Sequence, residues 1–112
     1  MSEPGLPRLN RDQAAALTSL VGIGCKSRDT VLGLSAVRRV KQLAYLFVSV
    51  DTAPGTVGQL AQLERQGTRL YLVDGMEALT RSCGRPDVLI VGIKPGGLAE
   101  GIGGRLQRAG AP

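Results

Sequence analysis

Three apolar runs in the second half of the chain limit what it can fold into: AYLFVSVD (44–51), RLYLVD (69–74) and DVLIVGI (87–93). The runs are continuous rather than alternating, and a strand that is apolar on both faces has to be covered on both. Helical segments separate them. TVGQLAQLERQG (56–67) turns Val57, Leu60 and Leu63 to one side and carries Gly67 just past its end. GMEALTRSCG (75–84) is shorter and stops at Gly84. After a KPGG turn, LAEGIGGRLQRAG gathers Leu98, Ile102 and Leu106 on one face, weakened by its glycines. The order β-α-β-α-β-α, with helices ahead of it, predicts an α/β fold: a three-layer α/β/α sandwich around a small, mainly parallel central sheet.

Ahead of residue 44 the signals are helical. RDQAAALTSLV follows Asn10, a residue suited to capping a helix, and places Ala14, Leu17, Leu20 and Val21 on one face. Gly22 and Gly24 are expected to end that helix. Val31, Leu34, Val37 and Val40 form a second helical stripe, with Gly33 weakening its first half. Residues 1–9, with Pro4, Gly5 and Pro7, read as a flexible leader and 10–109 as one domain, which suits a chain of 112 residues. The opening residues lack the apolar run of a signal peptide, and no stretch reaches the roughly 18 to 20 apolar residues of a membrane span. The expectation is a cytoplasmic protein without a membrane partner. Cys25 and Cys83 have no metal-ligand spacing and are expected to be two reduced, buried thiols.

Composition then narrows the chemistry. The chain has no His, which removes His-based acid–base catalysis, His-paired nucleophiles and most transition-metal sites. VGIGCKS ends in Lys-Ser like a phosphate-binding loop, but Cys25 stands where that loop needs Gly, and a helix precedes it instead of a strand. GGLAEGIGG lacks the dinucleotide-binding register. Pro95, Gly96 and Gly97 open a helix, whose free N–H groups could draw an anion but equally suit a plain turn. Asp51 and Asp74 each follow a strand, where two carboxylates could hold Mg²⁺ but where turn residues and caps are also common. A binding module is therefore expected, not an enzyme, and no cofactor or metal.

Charge is the stronger signal. Lys and Arg number 14 against nine acids, a net charge of +5, and eleven of the 14 are Arg. Arg suits two-point contact with phosphate or carboxylate. Lys26 and Arg28 lie upstream of a cluster of Arg38, Arg39 and Lys41, and Arg81 and Arg85 flank a later turn. These residues are either a solvated surface or a footprint for a phosphate backbone. With only Tyr45, Phe47 and Tyr71 as aromatics, a nucleic-acid site would read shape and phosphates rather than stack a single strand.

From about Ala14 to Leu106 the chain resembles the kink-turn RNA-binding ribosomal-protein superfamily, of the L-seven-Ae and L-thirty-e type, in its short bacterial form. The strings that carry the resemblance are VLGLSAVRR (31–39), AYLFVSVD (44–51) and EALTRSCGRPDVLIVGIKPGG (77–97). The resemblance implies an α/β/α sandwich that binds a sharply bent RNA loop through Gly-x-Asn-Glu-x-x-Lys at a helix start. On this chain Gly33 matches the Gly and Arg39 the Lys, with Arg38 beside it, while Arg85 and Pro86 match a second RNA-facing loop. Ser35 and Ala36 stand where the base-reading Asn and Glu are expected. A Ser offers one hydrogen bond where Asn offers a bidentate pair, and Ala offers none.

The implied function is binding of structured RNA, ribosomal or other non-coding, with weakened kink-turn specificity and no DNA specificity. The RNA-binding set is Lys26, Arg28, Gly33, Ser35, Arg38, Arg39 and Arg85. The alternative is a relative that has lost RNA and serves as a protein–protein interaction module.

Overall fold

A computed structural model describes residues 6–85 and 87–112. The apolar runs form the strands β3 (Tyr45–Ser49), β4 (Arg69–Val73) and β5 (Ile90–Ile93), and two further strands join them, β1 (Arg8–Leu9) and β2 (Thr30–Leu32). The sheet order is β1-β4-β3-β5-β2. β1 runs parallel to β4 and β4 to β3, while β5 is antiparallel to both β3 and β2. Four of the five strands therefore point one way and β5 alone is reversed.

Successive side chains of a strand face opposite ways, and the sheet divides its apolar residues accordingly. Phe47, Tyr71, Val73, Val91 and Ile93 face α1 (Arg11–Ala16), α2 (Thr18–Ser27), α5 (Met76–Leu79) and α6 (Gly97–Arg108). Leu46, Val48, Leu70 and Ile90 face α3 (Leu34–Arg39) and α4 (Pro54–Ala61). The result is the α/β/α sandwich expected from the sequence. Asn10 caps α1 as anticipated. Its Oδ1 accepts from the Gln13 N–H at 2.8 Å, and the Gln13 amide oxygen accepts from the Asn10 N–H at 2.9 Å.

Four expectations are corrected. Arg8 and Leu9 are no flexible leader, because they extend the sheet along the end of β4, and Leu9 is fully buried; residues 1–5 lie outside the described residues. Gly22 and Gly24 do not end a helix; α2 runs on to Ser27. Both glycines are sites of close approach: a Cβ at Gly22 would come within 2.5 Å of the Ser82 Cβ, and one at Gly24 within 2.5 Å of Leu98 Cδ2. Packing outweighs their poor helix propensity. The stripe from Val31 to Val40 is not one helix: Thr30–Leu32 is an edge strand paired with β5, and the helix starts only after Gly33. Three β-branched or apolar residues are too short a run for periodicity to separate strand from helix.

The fourth correction concerns the cysteines. They are not reduced thiols but one disulfide, Cys25–Cys83, with Cα atoms 6.1 Å apart. It joins the last turn of α2 to the 3₁₀ turn Arg81–Cys83 that follows α5. Sequence spacing alone does not reveal such a bridge, because a separation of 58 residues says nothing about distance in space.

Candidate functional site

Three chain reversals meet at the C-terminal ends of β2 and β3 and the start of β5. The first is Gly33, which takes the chain from β2 into α3 at φ 92°, a conformation that favours glycine. Its N–H donates to the Ile90 carbonyl at 2.8 Å, and its own carbonyl accepts from Val37 at 3.0 Å to begin α3. This corner is thereby fastened to the start of β5. Along α3, Val37 is buried and Leu34 and Ala36 are half-buried, whereas Ser35, Arg38 and Arg39 are exposed. Offsets of three and four residues put those exposed three on one helix face.

The second reversal, between β3 and α4, holds Thr52 and Ala53. The Ser49 N–H donates to the Leu89 carbonyl at 2.8 Å, and the Thr52 N–H to the Ser49 carbonyl at 3.0 Å. The Thr52 Oγ1 is buried and has no hydrogen-bond partner among the described residues. The third reversal, from the Arg81–Cys83 turn to β5, carries Arg85, Asp87, Val88 and Leu89. Val88 is buried, Arg85 and Asp87 are exposed, and Leu89 is 45% exposed. The disulfide holds the root of this segment against α2.

Together the three reversals line an open groove of about 410 Å³. Gly33 and Leu34 form one wall, Thr52, Ala53 and Thr56 a second, and Arg85, Asp87, Val88, Leu89 and Ile90 the third. It offers a guanidinium, a carboxylate, an apolar face at Leu89, an orphan hydroxyl and backbone left open at Gly33. Arg85 can meet a phosphate, Asp87 can accept from a base amino group, and Leu89 can support a base face. The groove lies at the carboxyl ends of the parallel strands, the usual binding edge of an α/β sheet.

The expected site residues divide into three groups. Gly33 and Arg85 line the groove, and Ser35 stands on the first turn of the helix that leaves it. Arg38 and Arg39 lie further along that helix, and Arg38 Nη2 donates to Gln59 Oε1 of α4 at 3.1 Å. Lys26 and Arg28 are elsewhere. They end α2 beside Thr30, which pairs with Ile93 at the far end of β5, and the Lys94 N–H donates to the Asp29 carbonyl there at 2.9 Å. The length of β2, roughly 10 Å for three residues, separates them from Gly33. Pro86 lies outside the described residues. The ion pairs of the described residues are Arg8–Asp74 at 3.3 Å and Arg11–Glu77, so none of these site cations is held by a carboxylate among them.

Leu89 and Thr52 were not anticipated. Leu89 sits inside the run DVLIVGI, which reads as strand throughout, yet pairing in the sheet starts only at Ile90. Thr52 belongs to TAPG, a plain turn signal. The usable sign at Leu89 was its place directly after Arg85, Pro86 and Asp87, where an apolar residue can still belong to the loop.

No family model and no curated protein matches the chain. Solved structures do. A protein of unknown function from Bacillus halodurans C superposes with a TM-score of 0.68 at 20% identity, covering 83% of this chain and 98% of that one. The Giardia lamblia 15.5kD RNA binding protein superposes with a TM-score of 0.67 at 19% identity, covering 96% of this chain and 98% of that one. The chain thus shares, over almost its whole length, the fold of a 15.5kD RNA binding protein.

Proposed function

We propose that the protein binds structured RNA of the kink-turn kind, ribosomal or other non-coding, in the cytoplasm and without catalysis. Gly33, Arg85 and Leu89 form the contact centre, and Ser35, Arg38 and Arg39 extend it along α3. The observation that carries this reading is the meeting of Gly33 and Arg85 in one groove from stretches some 50 residues apart in sequence. The fold shared with an RNA binding protein from Giardia lamblia supports it. Phosphate contacts dominate: Ser35 supplies one hydrogen bond and the half-buried Ala36 none, so affinity exceeds specificity.

A second reading is a protein–protein interaction module. It is favoured by the distance of Lys26 and Arg28 from the groove and by Ile23, an apolar residue 57% exposed on α2. Fluorescence anisotropy with a labelled kink-turn RNA and an unkinked duplex of the same length separates the two. Binding to both RNAs, with a modest preference for the kinked one, is expected. Absence of binding to either at low salt overturns the RNA reading and leaves the interaction module.

A further inference from the structure

All three aromatic residues of the chain form one triangular cluster on the α6 side of the sheet. Ring centroids are 6.0 Å apart for Tyr45–Phe47, 5.9 Å for Phe47–Tyr71 and 6.5 Å for Tyr45–Tyr71. Phe47 and Tyr71 are buried, as core requires, but Tyr45 is not. Beside Tyr45, at the starts of β3 and β4, a cavity of about 350 Å³ opens between the sheet and α6. Tyr45, Arg69, Tyr71, Gly103 and Gln107 line it together with the final residues of the chain. Its size falls within the range of small-molecule sites.

Two observations give the cavity a chemistry. The first is Arg69, exposed and without a carboxylate partner among the described residues, its guanidinium carbon 5.9 Å from the centroid of the Tyr71 ring. Among the described residues no acidic one lines the cavity. A guanidinium steered by a ring and not by an acid keeps its donors free for an anion. The second is the room that α6 leaves for Tyr45. A Cβ at Gly103 would stand 2.8 Å from the Tyr45 hydroxyl, so glycine there lets the ring rest against α6. The Tyr71 hydroxyl is already spent, donating to the Pro112 carbonyl at 2.8 Å. Tyr45 and the Gln107 amide remain, an aromatic surface and a two-way hydrogen-bonding group.

We propose that this cavity is a second binding site, separate from the groove, for a nucleoside monophosphate group: the base against Tyr45 with Gln107 at its edge, the phosphate on Arg69. The group can belong to a free mononucleotide or to an unpaired nucleotide in a single strand. Titrating the whole ¹⁵N-labelled protein with AMP, UMP, a short single-stranded RNA and inorganic phosphate tests it. Saturable shifts at the amides of Tyr45, Arg69, Gly103 and Gln107 with a nucleotide probe are expected. Arg69→Gln and Tyr45→Leu should weaken them by about tenfold, the scale of one lost stacking or charged contact, while Tyr45→Phe largely keeps them.

Tighter binding of the strand than of either mononucleotide assigns the site to nucleic acid, and equal binding assigns it to free nucleotide. Absence of saturable shifts, equal shifts with inorganic phosphate alone, or unchanged binding in variants with intact spectra overturns the proposal. Arg85→Ala serves as the control: it should leave these shifts in place whether or not the groove binds RNA.

Discussion

At the C-terminal ends of β2 and β3 and the start of β5 the chain turns back through loops, and the groove is made of what those loops present: Gly33, Thr52, Arg85 and Leu89. At the starts of β3 and β4, the groups that meet solvent stand on the strands themselves, Tyr45 opposite Arg69 in the ladder, with α6 laid against them. The means of fixing the two ends differ as well. The groove depends on a covalent tie, Cys25–Cys83, that sets the root of one of its walls. The aromatic cavity is closed by hydrogen bonds, Tyr71 Oη to the Pro112 carbonyl and Gln13 Nε2 to the Ala109 carbonyl at 3.1 Å. Loops alone hold a shape poorly, so an end built of loops needs a clamp that an end built of strands does not.

The strongest test of this contrast is to cut the clamp. Cys83→Ser, or reduction by a dithiol, removes the closure of a 58-residue separation and should cost up to about 4 kcal/mol in urea unfolding. Hydrogen exchange should quicken between Gly84 and Leu89 while Tyr45–Ser49 stays protected. Equal loss of protection at both ends would break the comparison.

Gly24→Ala probes the packing beneath that clamp. On propensity alone it should stabilise α2 by about 1 kcal/mol. Because the new Cβ would run into Thr30 and Leu98, we expect a net loss of about 1 to 3 kcal/mol, read as a lower melting temperature. A gain would mean that α2 can move away from β2.

Binding variants sharpen the contrast further. Leu89→Asp changes an exposed side chain and should alter stability by no more than about 0.5 kcal/mol, yet it should weaken RNA binding by about tenfold in anisotropy titrations. Lys26→Ala and Arg28→Ala, at the far end of β2, should each change it by less than about twofold. The reverse order would move the interface to the end of α2. Installing Ser35→Asn with Ala36→Glu should raise the preference for kinked over straight RNA; no gain would show that α3 does not read bases.

The smallest expected effect is electrostatic. The Glu77 carboxyl on the first turn of α5 accepts from its own backbone N–H and from Arg11, and these hold it below its usual value near 4.5. A depressed carboxylate contributes stability that is present above the unfolded value and lost as pH falls through the folded one. Glu77→Gln should therefore flatten the acid side of the stability profile slightly, below about pH 4.5, in urea midpoints taken across pH. A difference that persists at neutral pH with the same size in high salt would point to packing instead.

How much of this was legible in the sequence follows from the length scale of each signal. The runs at 44–51, 69–74 and 87–93 are long and apolar enough to declare β3, β4 and β5, and the helix face of Leu98, Ile102 and Leu106 declares α6. The stretch from Gly22 to Val40 was misread because its logic is tertiary. Gly22 and Gly24 answer to Ser82, Thr30 and Leu98, and β2 exists because β5 has an open edge for it. Arg8 and Leu9 likewise become strand only where β4 offers a ladder. Within the candidate site, Gly33 and Arg85 were legible through the strings around them. The separation of Lys26 and Arg28 was not, since sequence proximity to Gly33 conceals that β2 carries the chain across the sheet.

A salt titration of binding to a kink-turn RNA, run on the wild-type chain and on Arg85→Ala, tests the central claim most directly. The account predicts that affinity falls steeply as salt rises and that Arg85→Ala binds more weakly with a log–log slope reduced by about one, as loss of one phosphate contact requires. Absence of binding at low salt, or wild-type slope and affinity in Arg85→Ala, would contradict it.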